Sequence, residues 1–231
     1  TGVVPHHREV LLIPGFGWIV RDVLQGVGRQ AYEARWHLAP GLAGTVTDDG
    51  ACVHVRDASG ARRLDLHAPR APDTLRLEPG WISARYGARE AAEVAVRAWD
   101  GDGAQDVVTL ILPAMGDQPP ARVIPLAADG AALAIRLVAH AGEAVELLIG
   151  EGRPLVARLA DGDTLETDAR WAWRRTSPES GSDVAATIQG RYLRSGADTI
   201  LDAPAGAAPS APGWRVAARG EGGWREVSAG A

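Results

Sequence analysis

Six histidines, a single cysteine, 29 carboxylates and a set of bases made only of arginine are the side chains through which this chain could do chemistry. His6 and His7 are adjacent, so on an extended backbone they point to opposite faces and cannot serve one metal without a kink. Glu33, Arg35 and His37 fall on one face of an alternating segment. His54 and His67 flank a Ser59-Gly60 turn, and a hairpin of suitable register would gather two imidazoles and Asp65 as a metal site. Spacing fixes no third ligand, so these residues are expected to line a solvated sheet face, and no metal ligand is assigned. Asp48-Asp49-Gly50 and Asp100-Gly101-Asp102-Gly103 read as turns with carboxylate caps. The second run lacks the spaced acids and closing glutamate of an EF-hand loop.

Other constellations are excluded by what is missing. There is no Gly-x-Ser-x-Gly elbow and no His-Glu-x-x-His pair. Gly26-Val27-Gly28 is too short for a phosphate loop and reads as a turn between strands. Cys52 alone rules out an internal disulfide and a cysteine-rich zinc site. All 24 basic residues are arginine. This removes Schiff-base and P-loop lysines, and it suits bidentate capture of carboxylate or sulfate. The arginine pairs Arg62-Arg63 and Arg174-Arg175 must diverge on a strand.

The elements that would position these groups are strands. Gly17–Leu24 is bounded by glycine. Gln30–Leu38 alternates, with Tyr32, Ala34, Trp36 and Leu38 opposite Glu33, Arg35 and His37, the period of a strand with one buried face. Ala51–Arg56 and Ala61–His67 alternate again. Val107–Leu112 is continuously apolar and ends at Pro113, as a strand covered on both faces would. The rhythm continues through Arg122–Leu126, Ala131–Val138 (with a turn at Asp129-Gly130), Ala144–Ile149, Leu155–Leu159, Thr164–Thr167, Ala169–Arg175 and Val184–Ile188, then through Tyr192-Leu193 and Thr199–Leu201. Residues 88–99 fit both a helical and an alternating period and are assigned to a strand. Residues 203–213 read as an Ala/Pro/Gly-rich loop, and Trp214 and Trp224 flank a final hairpin. The expected fold is all-β: a large antiparallel β-sandwich of roughly fifteen short strands with little or no helix. The expected domains are a sandwich over 1–202 and a loop with terminal hairpin over 203–231 packed on it.

Bulk properties agree. The chain has 231 residues and a net charge of −5, with 46% hydrophobic and 23% charged residues. That is ordinary globular composition with enough length for a real core. Mild acidity argues against a nucleic-acid partner. No apolar run of ~18 residues exists to span a bilayer. Thr1 is not an initiator methionine, no signal peptide is visible and strand-like sequence begins at once, so the chain reads as a piece of a longer or processed protein.

The linear pattern carries a resemblance. The run HHREVLLIPGFGWIVRDVLQGVG, the segment His37-Leu38-x-Pro40, WISARYG (Trp81 to Gly87) and TLILP (Thr109 to Pro113) together resemble the C-terminal region of the heparinase II/III-like polysaccharide lyases. The strong matches cover 5–40 and 81–113. After the Gly-x-Gly turn the family often has a histidine, where this chain has Arg29 and Gln30. The resemblance implies a β-sandwich region that follows an N-terminal α/α toroid, in a protein that cleaves uronic-acid polysaccharides by β-elimination outside the cytoplasm, in the periplasm or as a secreted enzyme. It places the catalytic tyrosine in the toroid, and the β-region histidines that act in catalysis or bind a divalent metal upstream of Thr1. No catalytic residue, metal ligand or cofactor is therefore expected in this chain. The expected partners are the toroid of the parent chain and an acidic polysaccharide. Trp81, Arg85 and Tyr86 are the expected substrate contacts. An independent carbohydrate-binding module and a purely structural sandwich are the alternatives.

Overall fold

The structure, a computed structural model, describes residues 3–69, 74–114, 118–129, 133–139, 142–159, 161–178, 183–202 and 213–230. It is 68% strand and 1% helix, with nineteen strands among the described residues. The all-β expectation holds, and residues 90–99 are strand. Gly130 and residues 203–212 of the expected turn and loop lie outside the described residues. The chain forms two compact units, 1–120 and 121–231.

The first unit is one seven-stranded antiparallel sheet. Its strands are β1 (His6–Ile13), β2 (Gly17–His37), β3 (Ala43–Val46), β4 (Cys52–Arg56), β5 (Arg62–His67), β6 (Thr74–Ile82) and β7 (Glu90–Pro113). Two of these are not short. The segments expected as two strands with a glycine turn between them are one 21-residue strand, β2, and it pairs with the 24-residue β7 along nearly its whole length. Gly26-Val27-Gly28 is a bulge within β2, not a turn. The expected turn at Asp100–Gly103 is likewise strand, with Asp100 opposite Ala31 and Gly101 opposite Gln30. The reason is local. Gly28 (φ 69°) and Gly103 (φ 68°) absorb the irregularity in left-handed conformations open to glycine, so the ladder bends without breaking. The Gln105 side chain folds back and donates to the carbonyls of Asp102 and Ala104, both at 3.1 Å.

β7 is longer than its neighbours on the edge away from β2. There β6 takes residues 90–98 and β5 takes residues 110–113. The sheet thereby closes over a core of its own, where Val53, Val55 and Leu66 meet Leu38, Leu75 and Ala95.

The second unit is a sandwich of two sheets. One contains β8 (Arg122–Pro125), β10 (Leu133–Val138), β11 (Ala144–Ile149), β14 (Trp171–Thr176), β15 (Val184–Ile188), β18 (Trp214–Gly220) and β19 (Gly223–Gly230). The other contains β9 (Ala127–Asp129), β12 (Leu155–Arg158), β13 (Thr164–Thr167), β16 (Tyr192–Ser195) and β17 (Asp198–Asp202). The expected final hairpin is β18–β19, with Arg219 opposite Trp224. Small alanines of the first sheet (Ala134, Ala172, Ala185, Ala217) face leucines of the second (Leu155, Leu165, Leu193, Leu201). Each buried leucine contributes ~1.5–3 kcal/mol.

One buried charge crosses this unit. Glu146 is 0% exposed and sits in register between Arg136 and Arg174 on the flanking strands, at 3.5 and 3.2 Å. The diverging Arg175 pairs instead with Glu143 at 3.0 Å. Removing the carboxylate leaves two cations with no common counterion. Glu146→Ala is expected to cost about 3 kcal/mol, measured by urea unfolding followed by tryptophan fluorescence.

Candidate functional site

The residues that could contact a ligand gather where β2 ends, β6 ends and β7 begins. Arg35 and His37 project from β2, with His37 opposite Val94 of β7. Pro79, Gly80, Trp81 and Ile82 close β6, and Arg89 lies in the hairpin that returns to β7. These side chains line an open groove of about 640 Å³. Gly80 lets the end of β6 pack against Val94, because a Cβ there would sit 2.4 Å from Val94 Cγ2.

Trp81 is 49% exposed, and the Arg89 guanidinium stacks over its ring at 4.3 Å. Among the described residues no carboxylate lies within ion-pair distance of Arg89, so its hydrogen-bonding fork is uncommitted. Arg35 differs. It pairs with Glu33 at 2.9 Å and Glu78 at 2.6 Å, while Arg76 closes the ring on Glu33 at 2.6 Å and Glu78 at 2.8 Å. Hydrogen bonds from Arg76 and Arg35 hold the Glu33 carboxyl below its ordinary range, and those from Arg35 and Arg76 do the same for Glu78. This lattice lies on the same face as the buried Val94 and Val96, and Arg35 carries it to the groove.

Of the expected contacts, only Trp81 lines the groove. Arg85 and Tyr86 are exposed on the hairpin tip, where Ser83 Oγ donates to the Arg85 carbonyl at 2.8 Å and Gly87 adopts φ 76°. Arg89 was missed by sequence reasoning. The signal that would have found it is its separation from Trp81 across a hairpin, which is visible only once the turn is placed.

The opening motif has a structural role. His7-Arg8 and Trp18–Asp22 lie on neighbouring strands, with Arg8 directly opposite Asp22. Arg8 grips Asp22 with two bonds of 2.6 and 2.9 Å, and His6 Nε2 meets the same carboxylate at 2.6 Å. The Arg8 guanidinium also lies 5.2 Å from the Trp36 ring centroid. His7 points away, toward Glu9 at 3.5 Å, as the alternation of a strand requires.

The family model for the heparinase II/III-like C-terminal domain matches residues 2–125, and the chain belongs to that family. The match covers the first unit and reaches β8 of the second. No curated protein matches the chain. No helix among the described residues is long and apolar enough to cross a membrane.

The Asp22 clasp makes a pH prediction. Burial pushes the Asp22 carboxyl up, but hydrogen bonds from Arg8 and His6 outweigh it and hold the group below its ordinary value. A carboxyl depressed on folding adds stability that is complete above its unfolded value, ~3.9, and is lost as pH falls through the folded one. The wild-type chain should therefore lose stability as pH drops below about 4. Asp22→Asn should be less stable at pH 7 and should show a shallower acid limb when melting temperature is followed against pH.

Proposed function

We propose that this chain is the β-region of a polysaccharide lyase acting on uronic-acid polymers outside the cytoplasm, where it supports a toroidal catalytic domain and walls one side of the substrate cleft. The observation that carries this reading is the pairing of an exposed Trp81 with an uncommitted Arg89 in one groove beside His37. A uronate unit presents an apolar C–H face and a carboxylate. An indole ring stacks on the first, and a guanidinium fork binds the second. His37, from the His-Leu-x-Pro segment, and Trp81, from the Trp-x-Ser-x-x-Tyr-Gly segment, converge there, so two stretches that carry the resemblance meet at one place.

The groove supports binding without catalysis. β-Elimination needs a base for the C5 proton and an acid for the leaving oxygen, in reach of one sugar. Among the described lining residues His37 is a lone imidazole, and Tyr86 stands off the groove altogether. The chain by itself is expected to release no unsaturated uronate from heparan sulfate or alginate, followed by ultraviolet absorbance. It is expected to bind acidic oligosaccharide weakly by calorimetry, and Trp81→Ala should weaken that binding roughly tenfold. Unsaturated product from this chain alone, or binding indifferent to Trp81, would overturn the reading.

A further inference from the structure

The β4–β5 hairpin does more than close the core of the first unit. Its register sets Cys52 opposite His67 and His54 opposite Asp65. Residues two apart share a face and cross-strand partners share it too, so all four side chains project to the same side of the hairpin. That side is not the solvated face expected from the sequence: Asp65 is 2% exposed and Cys52 4%, with His54 and His67 half-buried at the rim.

Cys52, His54 and Asp65 point at one another, and His67 joins them only at Cys52. Cys52 Sγ lies 3.8 Å from His54 Nδ1 and 3.6 Å from His67 Nε2, and His54 Nδ1 is 2.8 Å from Asp65 Oδ1. The ligand atoms of Cys52, His54 and Asp65 all fall within 4.8 Å of one another. A catalytic relay does not use this geometry. In a thiol–imidazole–carboxylate relay the thiol and the carboxylate meet different ring nitrogens, whereas here both meet Nδ1 of His54. Convergence on a common point is instead what a cation requires. A tetrahedral ion with Zn–S of ~2.3 Å and Zn–N of ~2.05 Å separates sulfur from nitrogen by ~3.6 Å and nitrogen from oxygen by ~3.3 Å. The two sulfur–nitrogen distances already match, and the His54–Asp65 contact needs to open by about half an ångström. Arg62 Nε lies 3.6 Å from the same Asp65 Oδ1 and has no hydrogen-bond partner among the described residues, so it can hold the carboxylate as the His54 contact opens.

We propose that Cys52, His54 and Asp65 hold a zinc ion that staples the β4–β5 hairpin, with His67, beside Cys52, turning in as the fourth ligand when the ion binds. One thiolate, two imidazoles and one carboxylate are a borderline donor set that suits zinc and not the oxygen-seeking calcium or magnesium. With His67 turned in, protein fills all four positions and the site is structural, with no place left for a substrate. Binding replaces the Cys52 thiol proton, which leaves to solvent. The half-buried histidines mark the way in. The site is separate from any metal upstream of Thr1 and does not depend on the glycan reading.

The test begins with the whole chain stripped by chelator, loaded with zinc chloride and dialysed. Elemental analysis should find one zinc per chain, and zinc should raise the melting temperature. Cobalt in place of zinc should give the strong visible absorption of a tetrahedral ion together with a thiolate-to-metal charge-transfer band in the near ultraviolet. Cys52→Ser should remove that band. His54→Gln, at the half-buried rim, should weaken zinc binding by roughly tenfold or more while the far-ultraviolet circular dichroism stays that of a β protein. A folded chain that retains no zinc overturns the proposal. So does zinc that is held equally well by His54→Gln, or a cobalt spectrum without the thiolate band. Should Cys52→Ser fail to fold, His54→Gln and the cobalt spectrum of the wild-type chain still decide the matter.

Discussion

The long antiparallel pairing of β2 with β7 is the constraint on which the first unit rests. β2 carries β1 on its far side, and β7 offers its other edge to two strands in succession, β6 and then β5. A sheet whose central strand outruns its neighbours must twist and can fold back on itself. Here that brings Val53, Val55 and Leu66 over Leu75 and Ala95, and makes one sheet serve as two layers. The ladder survives at its middle because glycine takes the positive φ that the bulge demands. A break at that point would separate His37 from Thr109–Pro113 and leave β5 and β6 with no common support.

Electrostatics follow from the absence of lysine. A guanidinium can bridge two carboxylates in its plane, and an ammonium on a flexible stem does so less well. The chain uses this repeatedly. Arg35 and Arg76 each hold both Glu33 and Glu78, Arg8 grips Asp22 with two nitrogens, and Arg136 and Arg174 flank the buried Glu146. Exposed pairs of this kind add little individually, but a closed ring of four ties down Arg35, the one member that lines the groove. Arg89 stands out because its fork is spent on none of these pairs and lies instead over an indole ring.

Strand content was readable from residues alone. The alternation of Tyr32, Ala34, Trp36 and Leu38 against Glu33, Arg35 and His37, and the apolar run of Val107–Leu112, describe their own backbone. Where the reading failed, it failed at glycines. Gly26-Val27-Gly28 and Gly101–Gly103 look like turns because glycine is the residue of turns, yet they meet at a bulge through which the β2–β7 ladder continues. The Trp81 groove was half visible: the indole could be named, but Arg89, eight positions on, could not, since it joins the ring only after the hairpin closes.

What the sequence determined by itself was the chemistry on offer and the class of backbone: strands throughout, arginine as the only strong base, one thiol, and a linear pattern that places the chain in the heparinase II/III-like C-terminal family. What only the tertiary structure decided was which of those groups meet. Periodicity is a property of neighbours along the chain and survives in any register, whereas a one-residue slip between β4 and β5 would set Cys52 beside a leucine and scatter the two imidazoles. Register is set by turn geometry and by the packing of Val53, Val55 and Leu66 on residues far away in sequence, so no local reading can supply it.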